Sequence, residues 1–129
     1  MDSYTYLGLL FNYNGNFCQD GKKLVDQVQT AMYVLYTKKY NLAIPVDLQF
    51  KLFDFLATPI ILYCSEIWGF ECISNIEKIH LQFCKRVLSV RSSTPSFMVY
   101  GELGRFPSEL QTKIKMICFW YKLVASENK

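Results

Sequence analysis

A chain of 129 residues suffices for one ordinary domain and not for two, and at 51% hydrophobic it can build a core and is not a disordered segment. Only 19% of its residues are charged, which is sparse cover for a free-standing surface and fits a piece packed against a neighbour. A net charge of +3 and a pI near 8.6 permit phosphate contact without marking a dedicated nucleic-acid binder.

In chain order, Tyr4 to Phe11 is an aromatic and aliphatic run that predicts a strand. Asn12 to Asn16 follows, with Asn14-Gly15 as the turn signal, and Phe17-Cys18 begins a short return strand. From there the period becomes helical. Leu24, Val28, Ala31 and Leu35 form one stripe, widened by Val25, Met32 and Tyr36. The first helix is expected over about Lys22 to Tyr40, with Asp20 as N-cap and Lys38-Lys39 in the last turn.

Pro45 restarts the chain, and Leu48, Leu52, Phe53 and Leu56 mark a second helix that Pro59 kinks or breaks near Ala57-Thr58. A third segment is expected from Ile60 to Trp68, stopping at Gly69. The apolar run Phe55 to Cys64 is far too short to span a membrane and reads as a buried core helix. A fourth helix, about Ser74 to Leu88, carries Ile76, Ile79, His80, Phe83 and Val87 on one face and Lys78, Gln82 and Lys85 on the other. Arg91 to Thr94 is a loop, and Pro95 opens a short helical turn ending before Gly101 or Gly104. The last helix, about Ser108 to Ala125, has the stripe Leu110, Ile114, Ile117 and Tyr121, with Met116, Phe119, Trp120 and Leu123 apolar on other faces, so it calls for a further neighbour. The expected fold is mostly α, an N-terminal β-hairpin (residues 1–18) followed by a compact bundle of about five helices (19–129).

Chemistry is sparse. Two-metal phosphoryl transfer needs converging carboxylates, and the acidic residues here are scattered, with no Asp-Asp pair. Glu66 is an acid inside an apolar segment, which reads as structural rather than catalytic. His80 and Cys84, four residues apart, imitate a base and nucleophile, but no third group orients them, and a satisfied core histidine is the better reading. The five cysteines, Cys18, Cys64, Cys72, Cys84 and Cys118, lack the close pairs of a zinc site. With Met1 to Tyr4 resembling no signal peptide, they read as reduced thiols in an intracellular compartment, and neither metal nor cofactor is expected. Basic residues cluster as Lys22/Lys23, Lys38/Lys39, Lys85/Arg86 with Arg91, and Lys113/Lys115. Each alone is ordinary solvated surface; together, with Tyr36, Tyr40, Phe97 and Tyr100 nearby in sequence, they can track a phosphate backbone.

The order of local motifs goes further. Tyr6-Leu7-Gly8 to Phe11, then Asn14-Gly15-Asn16-Phe17, resembles the Y-L-G strand and turn that close the palm after the catalytic strands of non-LTR (LINE-type) retrotransposon reverse transcriptases, and Ala31 matches the alanine of the long helix that follows. Leu52-Phe53-Asp54, then Pro59 through Tyr63, Cys64, Glu66, Trp68 and Gly69, is similar to that family's "k-l-f-d…P-i-l-x-Y-g-x-E-x-W-g" thumb stretch, with Cys64 where the family often has glycine. Ile76-Glu77 to Phe83-Cys84-Lys85 resembles the next helix, and Tyr100-Gly101-Glu102-Leu103-Gly104-Arg105-Phe106-Pro107 resembles the "y-g-E-l-G-r-x-P" turn.

The resemblance covers Tyr4 to Val124. It implies a non-catalytic thumb-like fragment whose parent polymerase holds an RNA/DNA primer–template duplex, with the palm as its missing packing partner and no membrane. Tyr6, Leu7, Gly8, Pro59, Tyr63, Glu66, Trp68, Gly101, Glu102, Gly104 and Pro107 are then structural motif residues. Lys38, Lys39, Lys85, Arg86, Arg91, Lys113 and Lys115 are the candidates for backbone contact. The competing readings are a helical protein-interaction module and an unexpressed truncated copy.

Overall fold

A computed structural model describes residues 3–6, 8–15, 18–68 and 73–127. Strand β1 (Ser3–Tyr6) pairs antiparallel with β2 (Leu9–Asn12), and among the described residues seven helices follow: α1 (Cys18–Leu42), α2 (Val46–Leu56), α3 (Thr58–Leu62), α4 (Ser65–Trp68), α5 (Ile73–Val87), α6 (Ser96–Leu103) and α7 (Ser108–Glu127). The mostly α fold with an N-terminal hairpin is as expected. The hairpin itself is rearranged.

Tyr6 pairs with Leu9, so the chain reverses between them, where Gly8 takes φ +87, and not at Asn14-Gly15. A two-residue loop suits the twist of the strands only with a positive φ that glycine supplies freely. Asn14-Gly15 instead makes a second bend after β2, closed by the Gly15 amide donating to the Asn12 carbonyl at 3.0 Å. The expected return strand is therefore absent at Cys18, which opens α1; Phe17 lies outside the described residues. The early start also puts Asp20 inside the first turn of α1 rather than at its N-cap.

Phe53 of α2, 1% exposed, is the hub of the core. It stacks on Phe83 at 4.4 Å and on His80 at 5.2 Å, both from α5, and Phe50 meets the edge of Phe83. From α1, Leu24, Val28 and Leu35 of the predicted stripe close one side, with Met32 buried beside them and Ala31 only half-buried; Val99 and Tyr100 of α6 join the same core. The expected core helix from Phe55 is overturned. The chain breaks at Ala57 and again at Tyr63-Cys64, so three short helices turn Phe55, Leu56 and Tyr63 outward and only Ala57 and Ile61 bury. Pro59 causes the first break, because it has no N–H to continue α2 and sits in the first turn of α3.

The second break falls at Cys64, whose φ of +50 is a left-handed conformation costing a side-chain-bearing residue roughly 1–2 kcal/mol. Cys64→Gly relieves that strain but loses a half-buried thiol and frees the unfolded chain. The net expectation is a gain of about 0.5 kcal/mol by urea denaturation, while Cys64→Val loses at least 1 kcal/mol. A Gly variant less stable than wild type contradicts this account.

The last helix departs most from its expected orientation. Its inner face is Ser108, Thr112 and Met116, and the predicted stripe Leu110, Ile114, Ile117 and Tyr121 faces solvent. The reason is polar. Ser108 Oγ meets His80 Nδ1 at 2.9 Å, and the Glu109 amide donates to Glu77 Oε2 at 3.1 Å, so α5 anchors the first turn of α7 through hydrogen bonds. Among the described residues no helix is long and apolar enough to cross a membrane.

Candidate nucleic-acid interface

Helices α1 and α5 pack together, and Tyr36 of α1 lies beside Arg86, in the last turn of α5. Between them lies an open groove of about 220 Å³ lined by Gln29, Met32, Tyr33, Tyr36, Ile79, Gln82 and Arg86. The Arg86 guanidinium stands 4.1 Å above the Tyr36 ring. That pairing, with a hydrogen bond to the Tyr36 hydroxyl, holds the cation at the groove rim, and the five-donor guanidinium has further N–H groups for a phosphate. Partial burial raises the Tyr36 pKa, opposed by the neighbouring Arg86, so the phenol stays neutral and able to donate. The groove is smaller than the roughly 300–1,000 Å³ of enclosed small-molecule sites. Its rim offers two amides, two phenols and a guanidinium, chemistry suited to a sugar–phosphate backbone lying across it.

Lys85 and Arg91 flank the same end. Helix α5 terminates with the Val90 amide donating to the Lys85 carbonyl at 3.1 Å and the Ser89 amide to the Arg86 carbonyl at 3.2 Å. This is the hydrogen-bond pattern of a left-handed helix cap, here with Ser89 at φ +55. Lys85 Nζ donates to the Ser92 carbonyl at 2.6 Å and ties the following turn down, leaving Arg91 exposed on it. The backbone at Lys38-Lys39 continues α1 past Tyr36 toward this end; their side chains lie outside the described residues.

The other candidates are elsewhere. Lys113 sits on exposed α7 and donates to Glu109 at 2.6 Å. Lys115 is turned inward, donating to the Leu62 carbonyl and pairing with Glu66 at 3.2 Å. That contact accounts for Glu66, whose carboxylate joins α4 to α7. Of the aromatics near the basic clusters, Phe97 is exposed and Tyr100 is buried, its hydroxyl donating to Glu77. Gln29 and Tyr33 are not marked by the sequence reading, which places Gln82 only on the polar face of α5. Their signal was faint but present: 29, 33 and 36 on α1, and 82 and 86 on α5, recur at helical spacing just beside the apolar stripes.

His80 and Cys84 are both buried in the core. Burial pushes the Cys84 thiol up to about 11, only partly offset by Arg105, which keeps it protonated. Burial, with Arg105 adding to it against Asp54, lowers His80 to about 4, leaving it a neutral ring within the core. Among the described residues, no three His, Cys, Asp or Glu side chains group as a metal site.

The motif residues outside the groove hold elements together. Arg105 forms a two-pronged bridge to Asp54, with Nη1 3.2 Å from Oδ2, and its guanidinium covers Phe50 at 4.9 Å. Gly104 caps α6 at φ +60, and Pro107 precedes the first turn of α7. Gly101 and Glu102 are exposed on α6, and the side chain of Trp68 lies outside the described residues, as do Leu7 and Gly69. No protein-family model, curated protein or solved structure matches this chain.

Proposed function

We propose that the chain is a thumb-like piece of a non-LTR retrotransposon reverse transcriptase, giving sequence-independent backbone contacts to a primer–template duplex through the α1–α5 end. The observation that carries the reading is the groove itself, where Arg86 lies over Tyr36 with Lys85, Arg91 and the backbone of Lys38-Lys39 at the same end of the bundle. Two further observations support it. The position where the resembled motif often has glycine, Cys64, adopts a left-handed conformation. The stretches "k-l-f-d" and "y-g-E-l-G-r-x-P" meet through Asp54 and Arg105.

Catalysis is not part of the proposal, since the sequence offers no adjacent carboxylate pair to hold divalent cations. The palm of the parent enzyme would pack near the hairpin, whose Tyr4 and Tyr6 are exposed. The test is fluorescence anisotropy with labelled RNA–DNA duplexes of unrelated sequence. Weak binding that varies by less than about threefold between sequences is expected of backbone contact. Binding to one sequence more than about a hundredfold tighter than to the others overturns the proposal, because base readout would then dominate.

A further inference from the structure

We infer that the outer face of α7 is a self-association seam, and that two copies of this chain pair through it with their α7 helices antiparallel. Leu110, Ile114, Ile117, Tyr121 and Val124 follow one another at spacings of four, three, four and three. This is the a/d repeat of a coiled coil, with Ile114 and Tyr121 at a, and Leu110, Ile117 and Val124 at d. At 100° per residue the row lies nearly half a turn around the helix from the inner face of Ser108, Thr112 and Met116. All five side chains are exposed, Ile117 at 69% and Tyr121 at 74%. An apolar row this regular, on the side its own domain does not cover, is shaped for another helix.

Charge selects a second copy and its direction. When Ile114 of one copy layers with Val124 of the other, and Ile117 with Tyr121, the flanking g positions face each other across a two-fold axis. Lys113 then meets Glu127 of the second copy, Glu127 meets Lys113, and Trp120 meets Trp120. The opposite flank brings Cys118, an exposed free thiol, beside its own counterpart. Lys113 keeps its in-chain partner Glu109 one turn back, so the lysine bridges two carboxylates. A parallel pairing instead sets Lys113 against Cys118 and Trp120 against Ala125, with no charge pair at either. Within α7 the charge match of Lys113 with Glu127 forms in the antiparallel register.

The seam involves none of the groove residues, so it stands or falls independently of the nucleic-acid proposal. Sedimentation equilibrium of the purified chain should give a monomer–dimer equilibrium with Kd on the order of 10 µM, weak because the seam is two heptads long. Ile117→Lys, at an exposed position, should leave the circular dichroism unchanged and the chain monomeric. Lys113→Glu and Glu127→Lys should each weaken the dimer about tenfold, and the two together should restore it to within about threefold. A short bis-maleimide should cross-link wild type through Cys118 and should not cross-link Cys118→Ser; direct disulfide formation demands a closer approach than flanking positions make. A strictly monomeric wild type means another protein covers this face and overturns the inference. A dimer that survives Ile117→Lys, or a double charge swap no tighter than the single ones, also overturns it.

Discussion

Phe53→Ala should cost about 3–5 kcal/mol of stability, the largest loss expected from any single truncation in this chain. The ring fills the space between α2 and α5 and stacks on both Phe83 and His80, and the Arg105 guanidinium lies 5.9 Å from its centroid. Removing it deletes buried area and two ring contacts, and leaves a cavity that rigid α5 cannot collapse to fill. Phe55, two residues on, is 84% exposed, and its truncation should change stability by less than about 0.5 kcal/mol. Urea denaturation of the two variants separates them. Similar losses at both positions would contradict the placement of α2.

Acid should destabilise the fold through His80. Its native pKa of about 4 lies below the ordinary 6.5, so the unfolded chain binds a proton that the native chain refuses. The stabilisation is therefore fully present above pH 6.5 and is lost progressively as pH falls from 6.5 toward 4. A difference of about 2.5 pKa units corresponds to about 3 kcal/mol at the low end of that window. Burial is the main cause and Arg105 the second, while Asp54 works in the opposite direction. The ring is also held by Ser108 through Nδ1, so the charged form gains no compensating carboxylate contact there. His80→Gln lowers stability at neutral pH by removing the stacked ring, but it should flatten the dependence between pH 6.5 and 4 relative to wild type. Parallel slopes for the two proteins would show that carboxylates elsewhere govern acid unfolding.

Where burial is apolar, the sequence was a good guide. Leu24, Val28 and Leu35 of α1, and Ile76, Ile79 and Phe83 of α5, bury on the face their spacing indicates, while at the edge of the α1 stripe Met32 buries more fully than Ala31. On α7 the apolar pattern pointed outward, because this helix is anchored by Ser108 and the Glu109 amide, groups that hydrophobic periodicity does not weigh. The run from Phe55 misled for a related reason. Its composition is that of a core helix, but Pro59 and the left-handed Cys64 divide it into turns too short to present one face. At the hairpin, two glycine-containing pairs competed, and the strand register chose Gly8 over Gly15. The candidate groove was legible only in fragments. Arg86 was visible as a basic residue and Tyr36 as part of a stripe, but their contact depends on the packing of two helices far apart in sequence.

The central claim, that the α1–α5 end touches a nucleic-acid backbone, is tested most directly by the salt dependence of duplex binding. Each phosphate neutralised by lysine or arginine releases counterion, so log K should fall against log salt with a slope of magnitude about 2 to 4. Replacing Lys85, Arg86 and Arg91 together by alanine removes three positive charges from a chain whose net charge is +3 and should flatten that slope by about 2 units. Lys113→Ala, at a residue paired with Glu109 on α7, should leave it unchanged. A slope preserved in the triple variant, or wild-type binding that ignores salt, would contradict the claim.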